Sequence, residues 1–413
     1  MAQGNFRVNT LTIENETKLI DLRSGFVSID YYEDVTSPTV IVDLVVSDGD
    51  GLIASLPLTG AESVSLEIEA IYSNQEKISF TKNDSKLCVV QASVLPGQSS
   101  NLYSLRLMSP EILANETTRV VKRYDAKVSE IVSKILTDND LIGTKKQKTI
   151  EPTTNSYSFI GCYKRPFDII NWLCPKSVPS DDTAGFLFFE TRKGYYFCSI
   201  DKKFQDKKSI ELIQSTTPLS SSDPKYYTSF VNIAITENND VLKSLRLGTY
   251  AHNSIFLNAW TMDYKVVTTK LSEKYGSDIK PSNSRAKTFK LNGLQDYPSR
   301  LIYRILDPGV MDKDGEKIDE QQLAKYQANA YMRYNLLFSS TTQVTLPLNI
   351  SICAGDVVSL QMAKGQRGNP TSKVDENLKN QRYIVSKIRH SIQGDNNFSS
   401  LELVSDSYSV SSK

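Results

Sequence analysis

The residues able to do chemistry are few, and their spacing serves no familiar reaction. Two histidines occur, His252 and His390, far apart in the chain. His390 stands beside Arg389 at what reads as a polar position of a strand, which suits an ordinary strand histidine better than a general base. The five cysteines are Cys88, Cys162, Cys174, Cys198 and Cys353, an odd number with no Cys-x-x-Cys pair. They read as free and mostly buried thiols, not as a disulfide framework. No Gly-x-Ser-x-Gly, His-Glu-x-x-His, Walker loop or Gly-x-Gly-x-x-Gly is present, which weighs against hydrolases and nucleotide enzymes. No residue is assigned to catalysis, to a cofactor or to a metal, and the chain is expected not to be an enzyme.

Two acidic runs invite a metal reading and fail it. Asp312-Lys313-Asp314-Gly315-Glu316 resembles part of a calcium loop, but Gly315 in the sixth position puts Val310 first and Gln321 twelfth, where ligands are needed. Asp48-Gly49-Asp50-Gly51 is a turn sequence between strands. Lys134, Lys145, Lys146 and Lys148 carry no interleaved aromatics, so solvation suits them better than nucleic acid. The triplets Asn15-Glu16-Thr17 and Asn115-Glu116-Thr117 read as chance, since the polar amino terminus has no apolar signal core. The aromatic hairpin from Phe186 to Phe197 could stack on sugars or bases. It is apolar on both faces, which favours core packing instead.

The elements that must position these residues are mostly strands. In a chain of 413 residues, 48 basic side chains face 47 acidic ones, so no global field draws it to nucleic acid or to an anionic membrane. No run approaches the roughly 18 apolar residues of a membrane span, and a soluble protein of a reducing cytoplasm is expected. Period-two patterning dominates from Phe26 to Met108: Val27, Ile29 and Tyr31 alternate, as do Val64, Leu66, Ile68 and Ala70, and Tyr103, Leu105 and Leu107. Ser109-Pro110-Glu111 marks a helix start with a serine able to cap. A second helix is expected around Tyr124, Val128, Ile131, Ile135 and Leu136, and residues 138–158 read as an exposed connection. Pro166 opens a helix buried nearly all round, which Pro175 ends. The stretches VNIAIT, VLKSLRLGTYA, SIFLNAWTM and YKVVTTKL favour extended structure, residues 272–296 look loop-like, and a helix is predicted over 316–333. The carboxyl end returns to strands, with Leu346, Leu348, Ile350 and Ile352 together.

Several segments, taken in order, resemble the baseplate hub proteins of contractile-tailed phages. SPEILANETTRVVKRYDAKVSEIVSKIL is similar to that family's two-helix segment. YKRPFDIINWLCPKSV resembles its Arg-Pro-Phe…Trp-Leu helix, AGFLFFETRKGYYFCSID its hairpin, and VTLPLNISICAGDVVSLQM with RYIVSKIRHSI and LELVSDS its last strands. The resemblance implies an α+β, mainly β fold: two tail-tube-like antiparallel β-barrels with inserted α/β domains. These would occupy 1–110 (first barrel), 111–215 (insert with the hairpin), 216–271 and 336–413 (second barrel), and 272–335 (a second insert of loop plus helix). It also implies a homotrimer, a pseudo-hexameric ring joining the hexameric tail tube protein to the trimeric central spike protein, with other baseplate proteins as further partners. DNA would pass the channel without specific binding, and the place of action would be the virion baseplate, assembled in host cytoplasm. The alternatives are a tail-associated binder of host-surface glycans, with the aromatic hairpin as platform, and a wall-degrading enzyme fused to a tail component.

Overall fold

The computed structural model describes residues 6–408 apart from 17, 50, 52, 54–57, 61, 72–76, 82–84, 97–100, 206–208, 216–218, 221–222, 224, 231–232, 238–239, 275–284, 287–291, 311–318, 362–380 and 395. The first part of the chain is all strand: β1 (Phe6–Glu14), β2 (Leu19–Asp21), β3 (Phe26–Asp34), β4 (Ile41–Asp48), β5 (Ser63–Ala70), β6 (Ile78–Phe80), β7 (Leu87–Leu95) and β8 (Asn101–Met108). Their order is β3-β4-β8-β7-β5-β1-β2, with β6 beside β5, and every pairing is antiparallel. The alternation sends Val64, Leu66, Ile68 and Ala70 inward with Tyr103, Leu105 and Leu107. In β3 the inward row is Ile29, Tyr31 and, unexpectedly, the carboxylate of Glu33, while Val27 is only half-buried.

Helices and short strands follow: α1 (Glu111–Thr117), β9 (Arg123–Lys127), α2 (Val128–Thr137), β10 (Lys148–Ile150), β11 (Ser156–Ile160), α3 (Pro166–Leu173), β12 (Phe186–Thr191), β13 (Gly194–Ser199) and α4 (Ile200–Gln205). Four expectations need correction here. Ser109 does not cap α1; Pro110 holds the cap position, and the serine hydroxyl donates instead to Glu190. Tyr124 lies on β9, ahead of the second helix, because β9 pairs with β11. Residues 138–158 are not a mere exposed connection, since β10 runs parallel to β13 and extends the hairpin sheet. Lys146, read as solvated, has an almost fully covered side chain. The buried helix at Pro166 forms as expected, its proline at the first turn, and a short 3-10 turn from Cys174 to Lys176 closes it.

The remainder comprises β14 (Ser209–Gln214), β15 (Ser229–Phe230), β16 (Ile233–Glu237), α5 (Val241–Leu247), β17 (Ala251–Asn258), β18 (Asp263–Lys270), α6 (Leu271–Lys274), β19 (Arg285–Ala286), β20 (Arg300–Ile305), α7 (Glu320–Leu337), β21 (Thr341–Pro347), β22 (Val357–Gln361), β23 (Gln381–Gln393), β24 (Asn396–Val404) and β25 (Ser407–Tyr408). The segment VLKSLRL is a helix, not a strand. The Asp240 carboxylate accepts the Lys243 N–H at its start, and Gly248, at φ 73°, ends it in the left-handed region. Residues 272–335 hold more than the expected loop and helix, for β20 pairs in parallel with β17. Helix α7 starts later than predicted, where the Asp319 carboxylate accepts the N–H groups of Gln321 and Gln322. Leu348, Ile350 and Ile352 are buried as expected but lie past the end of β21. Asp50, Thr17 and the run Asp312, Asp314, Gly315, Glu316 lie outside the described residues.

Strands from the two ends, β1–β8 with β14–β16 and β21–β24, form one sheet, whereas β17 and β18 pair in a separate sheet with β20. β23 pairs antiparallel with β3, from Lys387↔Asp34 to Ile392↔Ile29, while its other edge carries β24 and then β21 and β16; β22 and β14 continue beyond its start. The ladders follow an open, branched path, and among the described residues none closes into a barrel. Among the described residues the mainly β character expected is present, carried by this fifteen-stranded sheet.

Candidate functional site

Both histidines are spent on packing. His390 Nδ1 sits 2.8 Å from the Ser399 hydroxyl, and its ring stacks on Tyr31 at 6.0 Å between centroids. Burial, with Arg192 nearby, pushes its pKa down to about 3, so the imidazole is neutral. Its position is therefore not the polar one expected. The signal was present in Ile388 and Ile392, which flank it at period two and face the same way. His252 is equally buried, with Nδ1 2.9 Å from the Gly248 carbonyl and its ring edge-on to Tyr331, and burial lowers its pKa too.

The cysteines form no disulfide: Cys88, Cys174, Cys198 and Cys353 are buried and Cys162 is exposed, and burial raises the Cys88 thiol to about 11. Lys134 and Lys145 are exposed and Lys148 half-covered. Asp48 accepts the Ile53 N–H, as a turn residue does, and Asn115 is buried, its side-chain oxygen accepting the Phe167 N–H. Among the described residues no group of three His, Cys, Asp or Glu is arranged to hold a metal, and no helix is long and apolar enough to cross a membrane.

Sequence reasoning missed Lys176. Its Nζ lies 3.0 Å from the centroid of Trp172 and 5.1 Å from that of Tyr157, and burial lowers its pKa to about 6. A neutral amine is a potential nucleophile, but this residue is only 3% exposed and the rings lie over it, so no substrate reaches it.

What the chain does build is a buried junction around the β12–β13 hairpin. Phe186, Phe188, Tyr195 and Phe197 pack with α2, α3 and α7 residues. Leu187, Phe189 and Cys198 point the other way, into a core with Val344, Leu346, Val358 and Leu403. Gly194 permits the turn: at φ 122° its missing Cβ would stand 2.2 Å from the Gln147 carbonyl, which accepts the Tyr195 N–H. Glu190, at the hairpin's end, accepts the Val40 N–H at 3.0 Å and pairs with Lys146 at 2.7 Å, and Lys146 also reaches Glu111 at 2.8 Å. Burial opposes charge on Lys146, yet the two carboxylates hold its pKa above the ordinary value. At the other side, fully buried Arg333 meets Asp201 and Asp406, each at 2.8 Å. Glu33 accepts the Tyr31 hydroxyl and the N–H groups of Arg192 and Ala354. Each charge is met by counter-charges or backbone donors, which fixes segments distant in sequence against one another.

Two surfaces stand out among the described residues. A groove of about 500 Å³ crosses the β3–β23 seam. Its cations are matched: Arg106 with Asp43 through two contacts, Arg389 with Asp30, Lys387 with Glu402. The second surface is the outer face of the sheet β18-β17-β20, where Tyr264, Val266, Leu301, Tyr303 and Ile305 are exposed.

Comparison with known proteins places this architecture among tail proteins. No family model matches the chain. It is 22% identical, over 419 aligned residues, to the curated "Probable baseplate hub protein gp334" of Vibrio phage KVP40, covering 98% of this chain and 95% of that one. Among solved structures, a tail protein from Neisseria meningitidis MC58 superposes with a TM-score of 0.57 at 11% identity, covering 97% of both chains. The 43 kDa tail protein of prophage MuSo2 from Shewanella oneidensis gives 0.57 at 9% identity, covering 96% of this chain and 98% of that one. The resemblance read from scattered segments thus extends from end to end, and the fold is that of phage tail proteins.

Proposed function

We propose that this chain is a baseplate hub subunit, a structural component of a phage tail whose place of action is the virion baseplate. The observation that carries the reading is the match to a curated hub protein along nearly the whole of both chains. A mainly β scaffold whose buried charges are consumed in fixing segments together supports a structural role over an enzymatic one.

In finer terms, the two strand-rich ends (1–110, and 216–271 with 336–413) act as paired tube-like units, with 111–215 and 272–335 inserted between them. Three copies then make a pseudo-hexameric ring that joins the hexameric tail tube to the trimeric central spike and leaves a channel for DNA. The matched charges at the β3–β23 seam favour this use, because a conduit for DNA must avoid rows of free cations that would grip phosphates. Electron microscopy of the purified protein, alone and mixed with the spike protein of the same phage, tests the reading. A three-fold ring with an axial opening is the expected result. A protein that stays monomeric and joins neither spike nor tube overturns it.

The glycan-binding alternative loses its surface. Phe188 and Tyr195 are 3% and 1% exposed, so the hairpin presents no platform for a sugar.

A further inference from the structure

The sheet β18-β17-β20 is built inside out. The registers Leu257↔Tyr264, Ile255↔Val266, Leu257↔Ile305, Ile255↔Tyr303 and Asn253↔Leu301 place these residues in rows on one face. That face is turned to solvent: Tyr264 is 62% exposed, Tyr303 70% and Ile305 71%. The turn between β17 and β18 extends it with Trp260 at 86% and Met262 at 76%. The opposite face, packed on α7, carries the polar side chains His252, Ser254, Asn258 and Thr269 beside Phe256 and Val267, all buried. A sheet with one wet face ordinarily alternates the other way.

We infer that this face is a contact between copies of this chain, the occupant being a second copy and not a protein made elsewhere. The argument is one of area and composition. At these exposures the three aromatic rings present roughly 450 Å², and with Leu257, Met262, Val266, Leu301 and Ile305 the patch comes to roughly 900 Å². That exceeds the largest patch of a typical monomer, about 300–600 Å², and equals one partner's share of a standard stable interface, about 800 Å². The rows contain no charged side chain and are rich in aromatics with a methionine at the rim, the composition of a permanent interface core. An apolar face of this size aggregates if left waiting. A second copy is the partner always present when the chain is made. The number of copies, three, rests on the hub reading; in a closed three-membered ring the face meets an unlike patch of its neighbour.

Sedimentation of the full chain tests this, comparing the natural sequence with Tyr303→Arg and, as a control on an exposed aromatic elsewhere, Tyr163→Arg. Association of the Tyr303→Arg chain weakened at least tenfold, with the circular dichroism spectrum unchanged and the Tyr163→Arg chain still trimeric, is the expected result. A Tyr303→Arg chain as trimeric as the natural one overturns the inference and leaves the hub reading standing. A trimer that Tyr303→Arg dissolves, but that joins neither spike nor tube, upholds the inference and overturns the hub reading. Should Tyr303→Arg fail to fold, acrylamide quenching in the Trp172→Phe chain reads Trp260 directly. Shielding of Trp260 in the assembled protein is expected, and full exposure there overturns the inference.

Discussion

The β12–β13 hairpin and the β17–β18–β20 sheet are both rich in aromatic and branched residues, yet they lie at opposite ends of the burial scale. In the hairpin, every residue of Phe186–Thr191 is buried and two cores share its faces. In the sheet, the chain covers only the polar face and leaves the apolar one open. The hairpin is therefore complete within one subunit, whereas the sheet is half of something. Aromatic content alone does not distinguish core from interface; the polarity of the alternate residues does. FLFFET has no polar residue until its end, while in AHNSIFLN three of the four polar residues, His252, Ser254 and Asn258, are turned inward.

That contrast can be broken by mutation. The largest expected effect is Phe197→Ala, which opens a cavity between two elements and should cost about 3–5 kcal/mol in urea unfolding. A loss below about 1 kcal/mol would mean the hairpin is not the common core. Asp201→Ala removes one of the two carboxylates that meet the buried Arg333 guanidinium and should cost about 3 kcal/mol or more; Asp201→Asn, which keeps an acceptor for Arg333, should lose less. The pH dependence comes next. The folded pKa of His390 is depressed to about 3, so its contribution is present above the unfolded value of about 6.5 and is lost as pH falls from there towards 3. Buried Glu33 and Asp356, whose pKa values burial raises, oppose this in the acid range. The expected observation is a difference: His390→Gln flattens the fall in the urea midpoint between pH 7 and pH 5. Equal slopes would show that His390 is protonated in the fold. On the open sheet, Val266→Thr should shift unfolding by no more than about 0.5 kcal/mol at dilutions where subunits are separate. Arg106→Ala, at an exposed pair, should fall within about 1 kcal/mol.

Much of the scaffold was legible. The rows Val64, Leu66, Ile68, Ala70 and Tyr103, Leu105, Leu107 are inward as their alternation requires, and the two-sided apolarity of the hairpin announced its burial. What escaped was set by contacts remote in sequence or by caps. Helix α5 is marked only by its caps, Asp240 and Gly248, because its apolar residues alone suit a strand equally well. β20 reads Arg-Leu-Ile-Tyr-Arg-Ile, and its strand state depends on β17 being alongside. Lys146 is buried because Glu111 and Glu190 converge on it, which no local pattern encodes. The open sheet was not readable, because period two fixes which residues share a face but not which face is wet.

The seam between β3 and β23 also sets a timetable. Tyr31 lies opposite His390, so β3 leaves the ribosome long before its partner exists, by on the order of half a minute at about 5–20 residues per second. Through that interval its edge is unpaired and open to wrong partners. The last long strands to be synthesised therefore act as a latch: a chain interrupted before β23 leaves the β3 edge without its partner strand.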